Sequence, residues 1–177
     1  MSFLSATNQA NSLLLRIRLM IIFFMISLLI SGITAFPIEW ELKFMTSHPE
    51  LFPDAYNDWF AIVYEGIKET NAKYPFLSYG TDWLGFAHIT IAVFFIGVLK
   101  DPVRNSWIVI SGMIISLMVF PHSFIFGHMQ QIPVIWRLVD CSFGFFSFIL
   151  LWVCYRHIKK LELVKQVATH ERDMKQT

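Results

Sequence analysis

The sequence predicts an all-α fold: a bundle of four transmembrane helices, N-in and C-in, with an external amphipathic helical excursion between the first and second spans. Three observations carry that reading. Charged residues make up only 15% of the 177-residue chain and hydrophobic ones 55%. An ordinary soluble domain carries about 25% charged residues, and here the deficit falls in apolar blocks of near-bilayer length. Basic residues gather at the boundaries that four spans would place on one side of a membrane. Trp40, Trp83, Trp107, Trp136 and Trp152 fall near the block ends, where an aromatic belt would put them.

The first span is predicted over residues 19–36, which carry no charge and follow Arg16 and Arg18. Its rival is a cleaved leader ending near Ser31–Ala35. The apolar run is long for such a leader, and Ile33 would occupy the position that calls for a small residue. Residues 37–80 form the excursion. Between Phe36 and Asp82 stand eight acids, counting Asp82, against Lys43, Lys68 and Lys73. Tyr56, Trp59, Phe60, Val63 and Ile67 recur there at helical spacing, which predicts an amphipathic helix with Pro53 suited to its first turn. Helices that bind anionic lipid are usually basic. This one is acidic, so it is expected to dock on the protein's own bundle.

The remaining spans are predicted over residues 83–99, 107–128 and 134–155. A tight polar turn, Lys100–Asn105, joins the second and third, and Pro121 is expected to break the third. A very short loop precedes the fourth, and residues 156–177 form a polar, partly helical tail. The whole chain reads as one membrane domain. Arg16, Arg18, Lys100, Arg104 and the Arg156–Lys165 cluster flank one side, which the positive-inside tendency assigns to the cytoplasm. The excursion then faces outward. Cys141 and Cys154 lie thirteen residues apart in one span, about 20 Å along a helix and beyond disulfide reach. A net charge of +1 gives no hint of a nucleic-acid partner.

Three stretches carry a resemblance: Tyr79-Gly80-Thr81-Asp82-Trp83 with Phe86-Ala87-His88; Asp101 to Trp107; and Ile132-Pro133 with Trp136-Arg137 and Asp140-Cys141-Ser142-Phe143-Gly144. Together they resemble a family of small bacterial four-helix integral membrane proteins of no assigned activity, over residues 37–155. The resemblance implies a multi-pass protein of the bacterial inner membrane. It brings no catalytic residue or cofactor with it.

Ionisable residues inside spans are costly and mark sites often enough to be followed. Counted at about 1.5 Å per residue, His88, His122 and Asp140 lie roughly 8–12 Å below the outer boundary, with Arg137 a turn further out and Asp82 and His128 at the rim. Small and polar residues let helices approach. On that ground the Arg137, Asp140, Cys141, Gly144, Ser147, Phe148 face of the fourth span looks inward, as do Thr81, Gly85, His88 and Ala92 of the second. Gly112 and Ser116 offer a similar seam on the third.

Two classes of reading follow. In the first, Arg137 and Asp140 neutralise each other as a structural clamp. In the second, His88, Arg137, Asp140 and Asp82 bind a small-molecule or lipidic ligand, with Arg137 meeting an anionic group and His88 exchanging a proton. A haem, or a metal held by His88, His122 and Asp140, is the alternative, as is intramembrane acid–base catalysis by the histidines. A proton path would require an oligomer. No phosphate loop, nucleophile elbow, CxxC or HExxH occurs, so enzyme status stays open, leaning against, and no cofactor is expected beyond the haem or metal alternative. The lipid bilayer is the one certain partner in this reading.

Overall fold

The computed structural model describes residues 3–176, with side chains over residues 7–169. It is helical nearly throughout. Seven α-helices follow one another: α1 (Phe3–Thr34), α2 (Ile38–Ser47), α3 (Asp54–Lys73), α4 (Tyr79–Phe94), α5 (Ile96–Lys100), α6 (Ser106–Met129) and α7 (Val134–Gln176). Short 3-10 turns at Pro49–Leu51 and Pro75–Leu77 flank α3. Four segments are long and apolar enough to cross a membrane: Thr7–Thr34, Pro75–Lys100, Ser106–Met129 and Val134–Thr169. Each contains one of the spans predicted from sequence apart from the last two residues of the first, Ala35 and Phe36.

The chain divides into two compact units, residues 1–25 with 94–177, and residues 26–93. The first unit is built on an α6–α7 hairpin. Ser123 meets Arg137, Ser116 meets Gly144, and Gly112 meets Leu151, so one helix descends as the other rises. A Cβ on Gly144 would stand 2.7 Å from the Ser116 carbonyl oxygen, which shows how closely the two backbones approach. The start of α1 packs here through Ile17 and Ile21, which are wholly buried together with Val98, Val109, Leu151, Cys154 and Ile158. Phe24 and Phe95 meet edge-on at 4.8 Å, and Arg18 Nε donates to the Leu99 carbonyl at 3.2 Å. That bond satisfies a carbonyl at the end of α5 that has no partner within its own helix.

Pro121 does not interrupt α6, which is continuous from Ser106 to Met129. Cys141 and Cys154 are buried free thiols, as their separation required.

In the second unit, residues 26–34 of α1 lie against α4, with Gly32 facing Gly85. Pro37 ends the α1 turn and stands at the N-cap of α2. Glu39 of α2 meets Asn71 of α3, and Pro49, just past α2, meets Asn57 near the start of α3, so α2 and α3 run antiparallel. Pro53 stands at the N-cap of α3, one residue before the first turn that the sequence predicts for it. The predicted stripe of Tyr56, Trp59, Phe60, Val63 and Ile67 is the half-buried side of α3, while Ile62 is exposed. Its packing partners are α2 and the Pro75–Leu77 turn. A second excursion helix, α2, therefore does the sheltering expected of the spans. Its sequence signal is Ile38, Leu42 and Met45, one face of a helix, with Leu42 buried.

Much of the apolar helix surface is exposed. Leu19, Phe23, Ile30, Ile114, Met118, Phe143 and Phe146 are all exposed. So many large exposed apolar side chains exceed what a water-soluble surface ordinarily carries.

Candidate functional site

The second unit contains a cleft of about 430 Å³ where α1 ends, α2 turns away and α4 begins. Local chemistry explains why it forms there. Pro37 follows the end of α1 and turns the chain into α2, so Phe36, Ile38 and Trp40 come round one side of the opening. Opposite, the chain enters α4 through a 3-10 turn. Ser78 Oγ donates to the Pro75 carbonyl at 2.6 Å, and the Thr81 and Asp82 amides donate to the Ser78 carbonyl. Ser78, Thr81 and Asp82 are thereby presented on the first turn of α4. An acid in that turn also sits favourably at the positive end of the helix dipole.

The lining is mixed, with an apolar wall of Phe36, Pro37, Ile38 and Trp40 and charges of both signs. Glu39 and Lys43 come from α2, Asn71 from α3 and Asp82 from α4. Asn71 Nδ2 donates to Glu39 Oε2 at 2.7 Å, which holds one carboxylate oxygen and leaves the other open. Among the described residues, ion pairs within 4.0 Å are Lys68–Glu65 and Lys159–Glu162. The Lys43 ammonium and the Asp82 carboxylate therefore line one cleft without pairing to each other or to Glu39. Trp40, 68% exposed, stands at the rim with its ring stacked on Phe44.

Of the ligand residues predicted from sequence, Asp82 lines this cleft. His88 lies further along α4, at the seam with α1, where its Cβ is 3.1 Å from the position a Gly32 Cβ would take. Its Nδ1 is 2.8 Å from the Leu84 carbonyl oxygen. A carbonyl only accepts, so Nδ1 carries a proton and Nε2 remains open. Glu39, Lys43 and Asn71 were not singled out from the sequence. Their only signal was the helical period of Ile38, Leu42 and Met45, which places Glu39 and Lys43 one turn apart on a shared side.

Arg137 and Asp140 belong to the first unit and do not form the clamp expected of them. Side chains on a helix lean toward its N-terminus. Arg137 accordingly runs back over Gly127, with Cγ and Cδ 3.1 Å from where a Gly127 Cβ would be, and Nε donates to the Ile132 carbonyl at 2.6 Å. Asp140 lies in the other direction and makes no ion pair with it. The α7 face is otherwise as predicted, with Cys141 and Gly144 buried and Phe143, Phe145 and Phe146 exposed. Asp140 sits at the edge of that stripe and is exposed, within electrostatic range of His122 across the α6–α7 contact. The His122 ring packs on Phe126 at 5.1 Å.

Among the described residues no group of three or more His, Cys, Asp or Glu side chains is placed to hold a metal ion. Of the His88, His122, Asp140 alternative, His88 belongs to the second unit and His122 and Asp140 to the first. Comparison with protein-family models, with curated proteins and with solved structures gave no match.

Proposed function

We propose that this chain is a multi-pass integral protein of the bacterial inner membrane, N-in and C-in, that binds a small polar or amphiphilic ligand in an outward-facing cleft. The single observation that carries the reading is the cleft itself. About 430 Å³ of space is within the range of small-molecule sites, and its lining combines aromatic walls with unpaired charges of both signs.

Its position supports the membrane setting. The cleft lies where two membrane-length apolar helices stop, at Phe36 and at Tyr79–Asp82. The Arg18–Leu99 bond brings one basic segment of α1 to the end of α5, which carries Lys100. Arg156 stacks over Trp152 at 5.2 Å and Lys159 over Tyr155 at 5.7 Å, an aromatic–basic band at the far end of the α7 apolar run. Reporter fusions test the orientation: a fusion after Lys160 is expected to be cytoplasmic and one at Met45 external, and the reverse result would overturn N-in/C-in.

A screen by thermal shift tests the binding reading on detergent-purified protein beside a Glu39→Gln, Lys43→Met, Asp82→Asn variant. Compounds that raise the melting temperature of the natural chain and not of the variant are expected. If every stabilising compound acts equally on both, the cleft is not a site.

Asp140 and His122 favour a second reading, in which this pair exchanges a proton within the α6–α7 hairpin. Asp140 of α7 lies within electrostatic range of the His122 imidazole of α6. Infrared difference spectra between acidic and alkaline buffer separate the two: a carboxyl band that responds to pH and vanishes in Asp140→Asn supports exchange, and a flat spectrum removes it.

A further inference from the structure

We propose that the cleft receives a zwitterionic group, an ammonium and a phosphate or carboxylate on one small head. The proposal rests on the binding reading above and narrows it to a ligand class. A cleft lined by charges of both signs is electrostatically complementary to a ligand that carries both. Here Lys43 and Asp82 line the same cleft and stay apart, and Glu39 keeps one oxygen free while Asn71 holds the other. A ligand with one charge would satisfy one side of this lining and be repelled by the other. A dipolar head satisfies both. Its ammonium meets Asp82 and Glu39, with the Trp40 indole available as a cation–π wall, and its anionic end meets Lys43 and the Thr81 hydroxyl.

The level of the cleft bears on the source. Below it, in the same unit, Ile30 and Ile33 of α1 and Trp83, Leu84 and Phe86 of α4 are exposed. Those side chains offer an apolar track that would take acyl chains if the zwitterion is the head of a lipid. A free phospho-amine or amino acid carries the same head without the chains, so the chemistry of the head is common to both sources.

The test measures binding to the full-length, detergent-purified chain through tryptophan fluorescence and melting temperature. The probes are dihexanoyl phosphatidylethanolamine, dihexanoyl phosphatidylglycerol and free phosphoethanolamine. The variants are Asp82→Asn, Lys43→Met and the charge-conserving Asp82→Glu. The ethanolamine lipid is expected to bind at least about tenfold more tightly than the glycerol lipid. Asp82→Asn and Lys43→Met should each weaken it by about tenfold, the loss of one charge-assisted hydrogen bond. Asp82→Glu should largely restore it, which excludes a folding defect as the cause. Phosphoethanolamine binding as tightly as the lipid assigns the site to a soluble zwitterion, and binding by the lipid alone assigns it to a headgroup; either supports the class. Equal or tighter binding of the glycerol lipid, sensitive to Lys43→Met and not to Asp82→Asn, overturns the zwitterion and leaves the cleft a site. Probe binding that ignores all three variants, or no binding by any probe or by any compound in the wider screen, overturns the class and the binding reading together.

Discussion

Gly32 and Gly85 meet backbone to backbone. A Cβ on Gly85 would stand 2.6 Å from the Gly32 carbonyl oxygen, and one on Gly32 would stand 2.7 Å from that of Gly85. Neither obstacle is a side chain that can swing away. The contact draws α1 against α4 just below the cleft, so it sets the distance between Phe36 and Asp82. Gly85→Ala should therefore force the helices apart, at a cost of about 1–3 kcal/mol for overpacking. Gly80→Ala, about 1.4 turns outside that contact with open space around it, is the control. Detergent melts of the two variants should show a fall for Gly85→Ala alone; equal melting temperatures would show that the seam yields.

The separation of Arg137 from Asp140 has a measurable consequence. Arg137 closes the α6–α7 turn through Ile132, so Arg137→Ala should lower stability by about 1–3 kcal/mol. Asp140→Asn should do little, since no partner is lost. A double-mutant cycle between the two is expected to give coupling under about 0.5 kcal/mol. A coupling well above 1 kcal/mol would restore the ion-pair clamp.

The same turn holds the one non-glycine residue with positive φ among those described, Gln131 at 57°. The Gln131 amide donates to the His128 carbonyl and the Ile132 amide to that of Gly127, a Schellman motif, whose left-handed position glycine fills without strain. Gln131→Gly should raise stability by about 1 kcal/mol. A melting temperature that stays level or falls would mean that the glutamine side chain contributes something there beyond its backbone.

Gly66 lies inside α3 with nothing within 4 Å of an added Cβ. Gly66→Ala should stabilise the helix by about 0.5–1 kcal/mol through its propensity. Hydrogen exchange at the α3 amides is the sensitive readout, with slower exchange expected in the alanine variant and unchanged exchange counting against α3 opening on its own.

Much of the helix pattern was legible in residue order. The four apolar segments, the half-buried stripe of α3 and the small-residue faces at Gly85, Gly112, Ser116 and Gly144 all declare themselves by period and size. Those signals are local: a period needs one helix, and a glycine seam needs only that something pack there. The α2 helix was missed because ten residues of mixed character, Ile38–Ser47, give too few turns for the period to stand out beside the acids. Glu39 and Lys43 were missed with it.

The direction of a long side chain is likewise not written in spacing. Arg137 and Asp140 are at ion-pair spacing, yet arginine bonds back to Ile132, because the unsatisfied carbonyl of the turn lies on the side toward which helical side chains lean.

What this sequence determined by itself is the set of membrane-length helices and the faces on which they pack, since apolar length and small-residue period are properties of contiguous chain. Only the tertiary structure decided that Asp82 shares a cleft with Glu39, Lys43 and Asn71. Those residues come from three helices and reach one another through the Pro37 and Pro75 turns, and such a meeting depends on how the chain turns back on itself, which no local pattern encodes.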